Sequence, residues 1–211
     1  MGVSKGVAEA LLAPVCCAAA QPNLGVATLM DNLVLYMTPA SAAQPPSALD
    51  KHDKDVDLAG YGKFAAQVAK TVSDPFVGKI SVLKVYSGTL TSEMAAYNAT
   101  AEKAEKPNAV YVMRGKKLIN TDKLTAGDIG AMAKLQHTNT GDTLCEASAP
   151  IRFGAIEFPK AVLSLAVTAK KQGEEDKVFA GLNRLLEEDL TMRLEKNAET
   201  GDMLIQGLGE M

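Results

Sequence analysis

The apolar positions change their period along the chain. Leu29, Leu33 and Tyr36 recur every three to four residues, with Met30, Val34 and Met37 widening the stripe, and this predicts an amphipathic helix from about Val26 to Met37. Before it, Pro14-Val15-Cys16-Cys17-Ala18 reads as a short buried strand, and Ala19 to Gly25 as the loop joining the two. Pro39 to Pro46, with Pro39, Pro45 and Pro46 among serines and Gln44, reads as a linker. The charged run Asp50 to Asp57 has no periodicity and predicts an exposed, mobile loop.

From Lys63 onward the pattern shortens. Phe64, Ala66 and Val68 alternate with polar or small neighbours. Lys79 to Thr89 sets Ile80 and Val82 on one face, with Leu83, Val85 and Tyr86 following and a turn signal at Ser87-Gly88. Val110 to Met113 is a β-branched run. Ile129, Ala131 and Ala133 alternate after Gly127-Asp128, and Thr140 to Thr143 is a turn before Leu144-Cys145. Short strands with turns at such intervals predict a closed or nearly closed barrel. After Pro150 the character changes again. Leu163, Leu165 and Val167 define a strand. Val178, Leu182, Leu185 and Leu186 define a helix that starts on three acids, where the helix dipole favours negative charge. Met192 and Leu194, then Met203 to Gln206, give two further strands. This order is part of a ferredoxin-like βαββαβ unit, without its second helix and last strand.

The chain is therefore expected to be mixed, with α/β and all-β parts. Residues 1–45 are a small piece plus linker, 46–62 a charged exposed loop, 63–149 a β-barrel and 150–211 a truncated ferredoxin-like unit.

Composition narrows the function. A chain of 211 residues with 47% hydrophobic residues can bury a core of useful size, but a net charge of -3 excludes nucleic-acid binding by bulk charge. Any RNA contact must come from a local patch. Arg114, Lys116 and Lys117 supply one near an expected hairpin, and Lys103 and Lys106 extend it toward phosphates. Aromatic residues are only 5% and none neighbours this cluster, which argues against base stacking. No apolar run reaches the ~18 residues that span a bilayer. Val7 to Ala20 has only Lys5 before it and is broken by Pro14, so it does not read as a signal sequence. Cys16, Cys17 and Cys145 are an odd set with an adjacent pair, which makes no disulfide framework and fits the cytoplasm.

Candidate chemistry is sparse. A phosphate-cradling GxxxxGK[ST] loop is absent from the sequence: neither Val77-Gly78-Lys79 nor Arg114-Gly115-Lys116-Lys117 has the upstream glycine, and no Asn-Lys-x-Asp run reads a guanine ring. His52 and His137 lie far apart and no C-x-x-C pair exists, so no metal site and no catalytic residue is assigned. Cys145, Cys16 and Cys17 are expected to be small buried strand cysteines, and His137 a solvated turn residue. Glu174-Glu175-Asp176 and Glu187-Glu188-Asp189 are expected to be solvated helix ends.

The ordered motifs nevertheless carry a resemblance. Asp74 to Lys79 (DPFVGK), Val85 to Leu90 (VYSGTL), Tyr97-Asn98-Ala99-Thr100, Ala126 to Ile129 (AGDI) and Thr140 to Cys145 (TGDTLC) follow one another as in the second domain of the bacterial elongation factor G family. Glu157-Phe158-Pro159, Leu182 to Asp189, Arg193, Glu199-Thr200-Gly201 and Gly207-Leu208-Gly209-Glu210 are similar to its third domain. Pro14 to Ala20, Gly25-Val26 and Thr38-Pro39 resemble the end of its GTPase domain, with Ala19 in place of the family's serine, a mark of a divergent member. The resemblance implies that residues 1–45 are the C-terminal strand–helix piece of a P-loop GTPase domain. It implies that Ala19, Ala20 and Gln21 are what remains of a guanine-facing loop, using mainly backbone amides. It also implies an elongation-factor-type barrel touching small-subunit ribosomal RNA, and an α/β domain near a small-subunit ribosomal protein. The parent would bind GTP and Mg²⁺, dock on the ribosome, move tRNA and mRNA, and include the rest of the GTPase domain and further C-terminal domains. This chain alone, lacking the phosphate-binding half, is not expected to turn over GTP. A ribosomal protection factor of the tetracycline-resistance type, or another translational GTPase, is the alternative the resemblance leaves open.

Overall fold

A computed structural model describes residues 2–43, 45–107, 109–115, 117–171 and 173–209. The chain divides after Pro45 into two units.

The first unit holds helix α1 (Gly2–Ala8), helix α2 (Val26–Tyr36) and a short 3-10 turn, Ala40–Ala42. Helix α2 forms where the apolar stripe predicts it. It starts after Gly25, whose φ of 71° is left-handed; a Cβ there would lie 2.7 Å from the carbonyl oxygen of Cys17, so the position requires glycine. No residue of α2 is buried, and Leu33 of the expected stripe is exposed. The expected strand Pro14–Ala18 does not form, and Val15 is 92% exposed. A strand needs a neighbour to take its N–H and C=O groups, and among the described residues the bridge nearby is a single antiparallel pair, Ala19 with Leu24. Cys16 and Cys17 are therefore exposed rather than buried in a strand. Gln44 of the expected linker lies outside the described residues.

The second unit opens with strands β1 (Ala48–Asp50) and β2 (Asp55–Val56) and helix α3 (Leu58–Tyr61). Residues 46–62, expected to be a charged exposed loop, carry this regular structure, although Lys51 to Asp55 are exposed as expected. The charged run is the turn of a hairpin, in which Oδ1 of Asp50 accepts the main-chain N–H groups of His52 (2.7 Å) and Lys54 (3.0 Å), and Asp57 caps α3 through the N–H of Ala59 (3.0 Å).

The barrel strands are β3 (Ala65–Asp74), β4 (Gly78–Ser87), β5 (Thr89–Thr91), β6 (Ala96–Asn98), β7 (Lys103–Glu105), β8 (Val110–Arg114), β9 (Lys117–Thr121), β10 (Lys123–Thr125), β11 (Ile129–Ala133) and β12 (Thr143–Cys145). Eight of them form one antiparallel sheet in the order β7-β6-β12-β3-β4-β11-β8-β9, while β5 and β10 pair separately. Phe64, Ala66, Val68, Leu83, Val85, Leu124, Met132 and Leu144 fill the interior. Burial of that apolar surface is the main stabilising term. In β4 Ser81, Leu83 and Val85 are buried on one face, while Ile80 and Val82 share the other as expected, Ile80 buried and Val82 half-buried. Ile129, Ala131 and Ala133 share one face of β11 as expected, with Ile129 exposed and the two alanines buried.

A second apolar cluster lies on the outside of β3 and β12, where Ala65 and Cys145 meet Ala48, Leu58, Ile151 and Phe153. Strand β13 (Ile151–Phe153) pairs with β1 and closes this layer. The hydroxyl of Tyr61 donates to the carbonyl of Ala149, and burial pushes its phenol up to about 12. An elevated phenol pKa contributes stability that is fully present below the ordinary value of 10.0 and is lost as pH rises through about 12. Phenolate absorbance during an alkaline titration should show one tyrosine ionising only near that upper value, and Tyr61→Phe should remove that late step.

After a segment, 154–162, without regular structure come β14 (Leu163–Val167), helix α4 (Glu175–Glu188), β15 (Arg193–Lys196) and β16 (Met203–Gly207). The sheet order is β14-β16-β15, antiparallel throughout, which is the split β-α-β arrangement that the element order predicts. Val178, Leu182 and Leu186 of α4 are half-buried, but Leu185 is exposed, so the helical stripe is narrower than its sequence pattern.

Candidate nucleic-acid interface

Strands β8 and β9 form a hairpin whose last pair is Arg114 with Lys117. Only Val110 and Tyr111 of β8 pair with β11, so Val112–Arg114 and Lys117–Ile119 project beyond the sheet as a two-stranded ribbon. Residues opposite one another on a ribbon share a face, which places Arg114 and Lys117 together beside Val112 and Ile119. Both cations are exposed, and neither joins an ion pair among the described residues. Lys116, the third member of the expected cluster, lies outside the described residues.

Strand pairing does not unite Lys103 and Lys106 with this tip, since β7 and β9 stand at opposite ends of the sheet order. Lys106 instead borders a recess of about 310 Å³ with Lys134, Gln136 and His137. The recess is built on Glu105. This buried carboxylate accepts the N–H groups of Gln136 (3.1 Å) and His137 (2.6 Å) and the hydroxyl of Thr138 (2.8 Å), tying the end of β7 to the segment after β11. The role of Glu105 is invisible in sequence because its partners lie about thirty positions on.

The motifs that carry the family resemblance prove to be turn and clamp chemistry. Asp74 of DPFVGK accepts from the N–H groups of Val77 and Phe76, both at 2.8 Å, which holds its carboxyl below the usual range and presents Phe76 at 94% exposure. Asp128 of AGDI is held low in the same way by the N–H and hydroxyl of Thr125. Asn98 is wholly buried and joins three segments. Its Nδ2 donates to the carbonyl of His137 (3.1 Å), to Thr138 Oγ1 (3.2 Å) and to Asp142 Oδ2 (2.8 Å), while its Oδ1 accepts from the N–H groups of Thr100 (3.0 Å) and Ala101 (2.9 Å).

Cys145 is buried, its thiol donates to the carbonyl of Tyr97 (3.6 Å), and burial pushes its pKa up, the reverse of what a nucleophile needs. His137 is exposed. Glu188 is not simply a solvated helix end: its Oε1 accepts the main-chain N–H of Ser73 at 2.6 Å.

In the first unit, Ala19 and Leu24 exchange main-chain bonds (2.9 and 3.0 Å), and the N–H of Asn23 donates to the carbonyl of Ala20 (3.1 Å). Among the described residues the N–H groups of Ala20 and Gln21 donate to no main-chain acceptor outside helices and strands. The 211-residue sequence contains no GxxxxGK[ST] run.

The barrel and the βαββ unit each match a domain of one translation factor. A family model described as elongation factor G domain 2 matches residues 63–147, and one described as elongation factor G, domain III matches residues 158–211. The elongation factor G of Ureaplasma urealyticum serovar 10 is 35% identical over 211 residues, covering 99% of this chain and 31% of that protein. The elongation factor G of Chlamydia trachomatis serovar D is 36% identical over 218 residues, covering 98% of this chain and 30% of that protein. A crystal structure of a Thermus thermophilus protein superposes with a TM-score of 0.77 at 26% identity, covering 98% of this chain and 30% of that one. The chain belongs to the elongation factor G family, and it spans less than a third of the length of the relatives it matches.

Proposed function

We propose that this chain supplies the barrel and third-domain surfaces with which an elongation factor G docks on the ribosome during movement of tRNA and mRNA. In this reading the projecting β8–β9 ribbon touches phosphates of small-subunit ribosomal RNA, and the βαββ unit faces a small-subunit ribosomal protein. Nucleotide chemistry belongs to residues outside this chain, with Ala19, Ala20 and Gln21 contributing at most base contacts through their amides. The observation that carries the proposal is the ribbon itself: two exposed cations side by side at a tip that stands clear of the sheet, in a chain whose net charge of -3 provides no general attraction to RNA.

The test is reversal of both charges, Arg114→Glu with Lys117→Glu. Affinity for purified small ribosomal subunits is expected to fall by about tenfold or more, and the slope of log affinity against log salt to shrink by about 2, one per lost phosphate contact. Unchanged affinity and slope would make the tip plain surface.

A further inference from the structure

The end of helix α4 meets the barrel at Glu188. Oε1 of the half-buried Glu188 accepts the N–H of Ser73, near the end of β3, at 2.6 Å. Asp189 follows, its carboxyl held below the usual range by the hydroxyl and N–H of Thr191, with Lys70 of β3 only a minor favourable charge. Leu190 lines a groove of about 540 Å³ together with Gly141, Phe153 and Phe158. The segment 154–162 that connects the two domains has no regular structure and is tied to the barrel at its start, where Gln67 Nε2 donates to the carbonyl of Gly154 at 2.9 Å. A connection of this kind leaves relative domain motion as the default unless a contact opposes it.

We propose that Glu188, Asp189 and Leu190 form a clasp that holds the third domain in one orientation on the barrel, with Glu188 as its positioning residue. A carboxylate bonded to a main-chain N–H is a directional, charge-assisted contact that fixes an angle. Leu190 beside it, 38% exposed, adds a partial apolar contact along the groove. Asp189 is itself pinned: its Oδ1 accepts from the hydroxyl (2.6 Å) and the N–H (2.9 Å) of Thr191, so the turn that follows Glu188 is stiff and carries any movement of the clasp directly into β15. Opening the clasp then swings the whole βαββ unit about the 154–162 segment.

The test uses the full 211-residue chain in solution. Amide hydrogen exchange reads the Ser73 N–H, and nuclear relaxation reads whether the two domains tumble together. In the unmodified chain, Ser73 should be protected and the domains should share one correlation time. Glu188→Ala should raise Ser73 exchange about tenfold or more and separate the two correlation times. The N–H of Val68, bonded to Asp142 inside the barrel (2.9 Å), should stay protected and report that the fold is intact. Glu188→Gln, which keeps a carbonyl acceptor, should restore most of both signals. Independent tumbling of the domains in the unmodified chain overturns the proposal whatever the variants do, as does Glu188→Ala that leaves Ser73 exchange and joint tumbling unchanged.

Discussion

Gly88→Ala is expected to lower the melting temperature of the barrel by at least about 12 °C, a loss larger than the backbone part of the change alone would give. Gly88 sits between β4 and β5 at a φ of 66°, and a Cβ there would lie 2.5 Å from both the carbonyl carbon of Lys63 and the nitrogen of Phe64. Left-handed backbone costs a side-chain-bearing residue about 1–2 kcal/mol. Overpacking adds about 1–3 kcal/mol, at the upper end here because the clash is with backbone rather than with a side chain that can rotate away. The strand entering the barrel at Phe64 would have to shift, and Phe64 is one of the largest side chains in the interior. A loss of about 3–5 kcal/mol is a large share of a typical domain's stability. Gly141→Ala is the control. Its φ is 93°, but nothing lies within 4 Å of the built Cβ, so it should lose only the backbone part. Thermal unfolding followed by circular dichroism separates the two, and equal shifts would refute the steric account.

The second large effect is at Asn98. Asn98→Asp changes no volume but replaces the donating amide by a carboxylate oxygen. That oxygen would face Asp142 Oδ2, previously 2.8 Å from the donor, and the carbonyl of His137. Breaking a buried polar network in this way costs about 3–5 kcal/mol, and the clamp joins β6 to the two turns on either side of Thr138. The loss should be pH-dependent in a definite direction. Burial beside a second carboxylate raises the pKa of the introduced acid in the folded state. The variant should therefore regain stability relative to the parent as pH falls and the new carboxyl becomes a donor again. Denaturant unfolding at neutral and at mildly acidic pH measures it. A variant as stable as the parent at neutral pH would mean that the network is not what holds those turns.

Much of the fold is legible because long elements repeat their apolar period many times. Helix α2, strands β3 and β4, and helix α4 all stand where their stripes place them. Failures occur where the decisive partner is remote. Pro14–Ala18 has the composition of a strand, but composition supplies no neighbour. Strands β1, β2 and β13 are two or three residues long, too short for any period, and β1 finds β13 about a hundred positions later. In β4 and β11 the apolar pattern does not by itself say which face is inward, since Ser81 and Gly130 are buried while Val82 is half-buried and Ile129 exposed. Inward facing is set by the register with β3 and β8, not by the hydrophobicity of single residues.

The candidate interface divides the same way. Arg114 and Lys117 lie on either side of a glycine between two β-branched runs, a local turn signal, and the hairpin forms there. Glu105, Asn98 and Glu188 give no such signal, since a carboxylate or amide in sequence looks the same whether it meets water or a main-chain N–H from another strand. The family motifs signal kinship in sequence. Their physical work, as the hydrogen bonds of Asp74, Asn98 and Asp128 show, is to set turns.

Whether the purified chain recognises a ribosomal subunit decides the central claim most directly. Sedimentation of the labelled chain with isolated small and large subunits, each at several salt concentrations, is the measurement. Saturable binding to the small subunit that weakens with salt, with little to the large one, is the expected result. Equal, unsaturable binding to both subunits, or none to either, would contradict it.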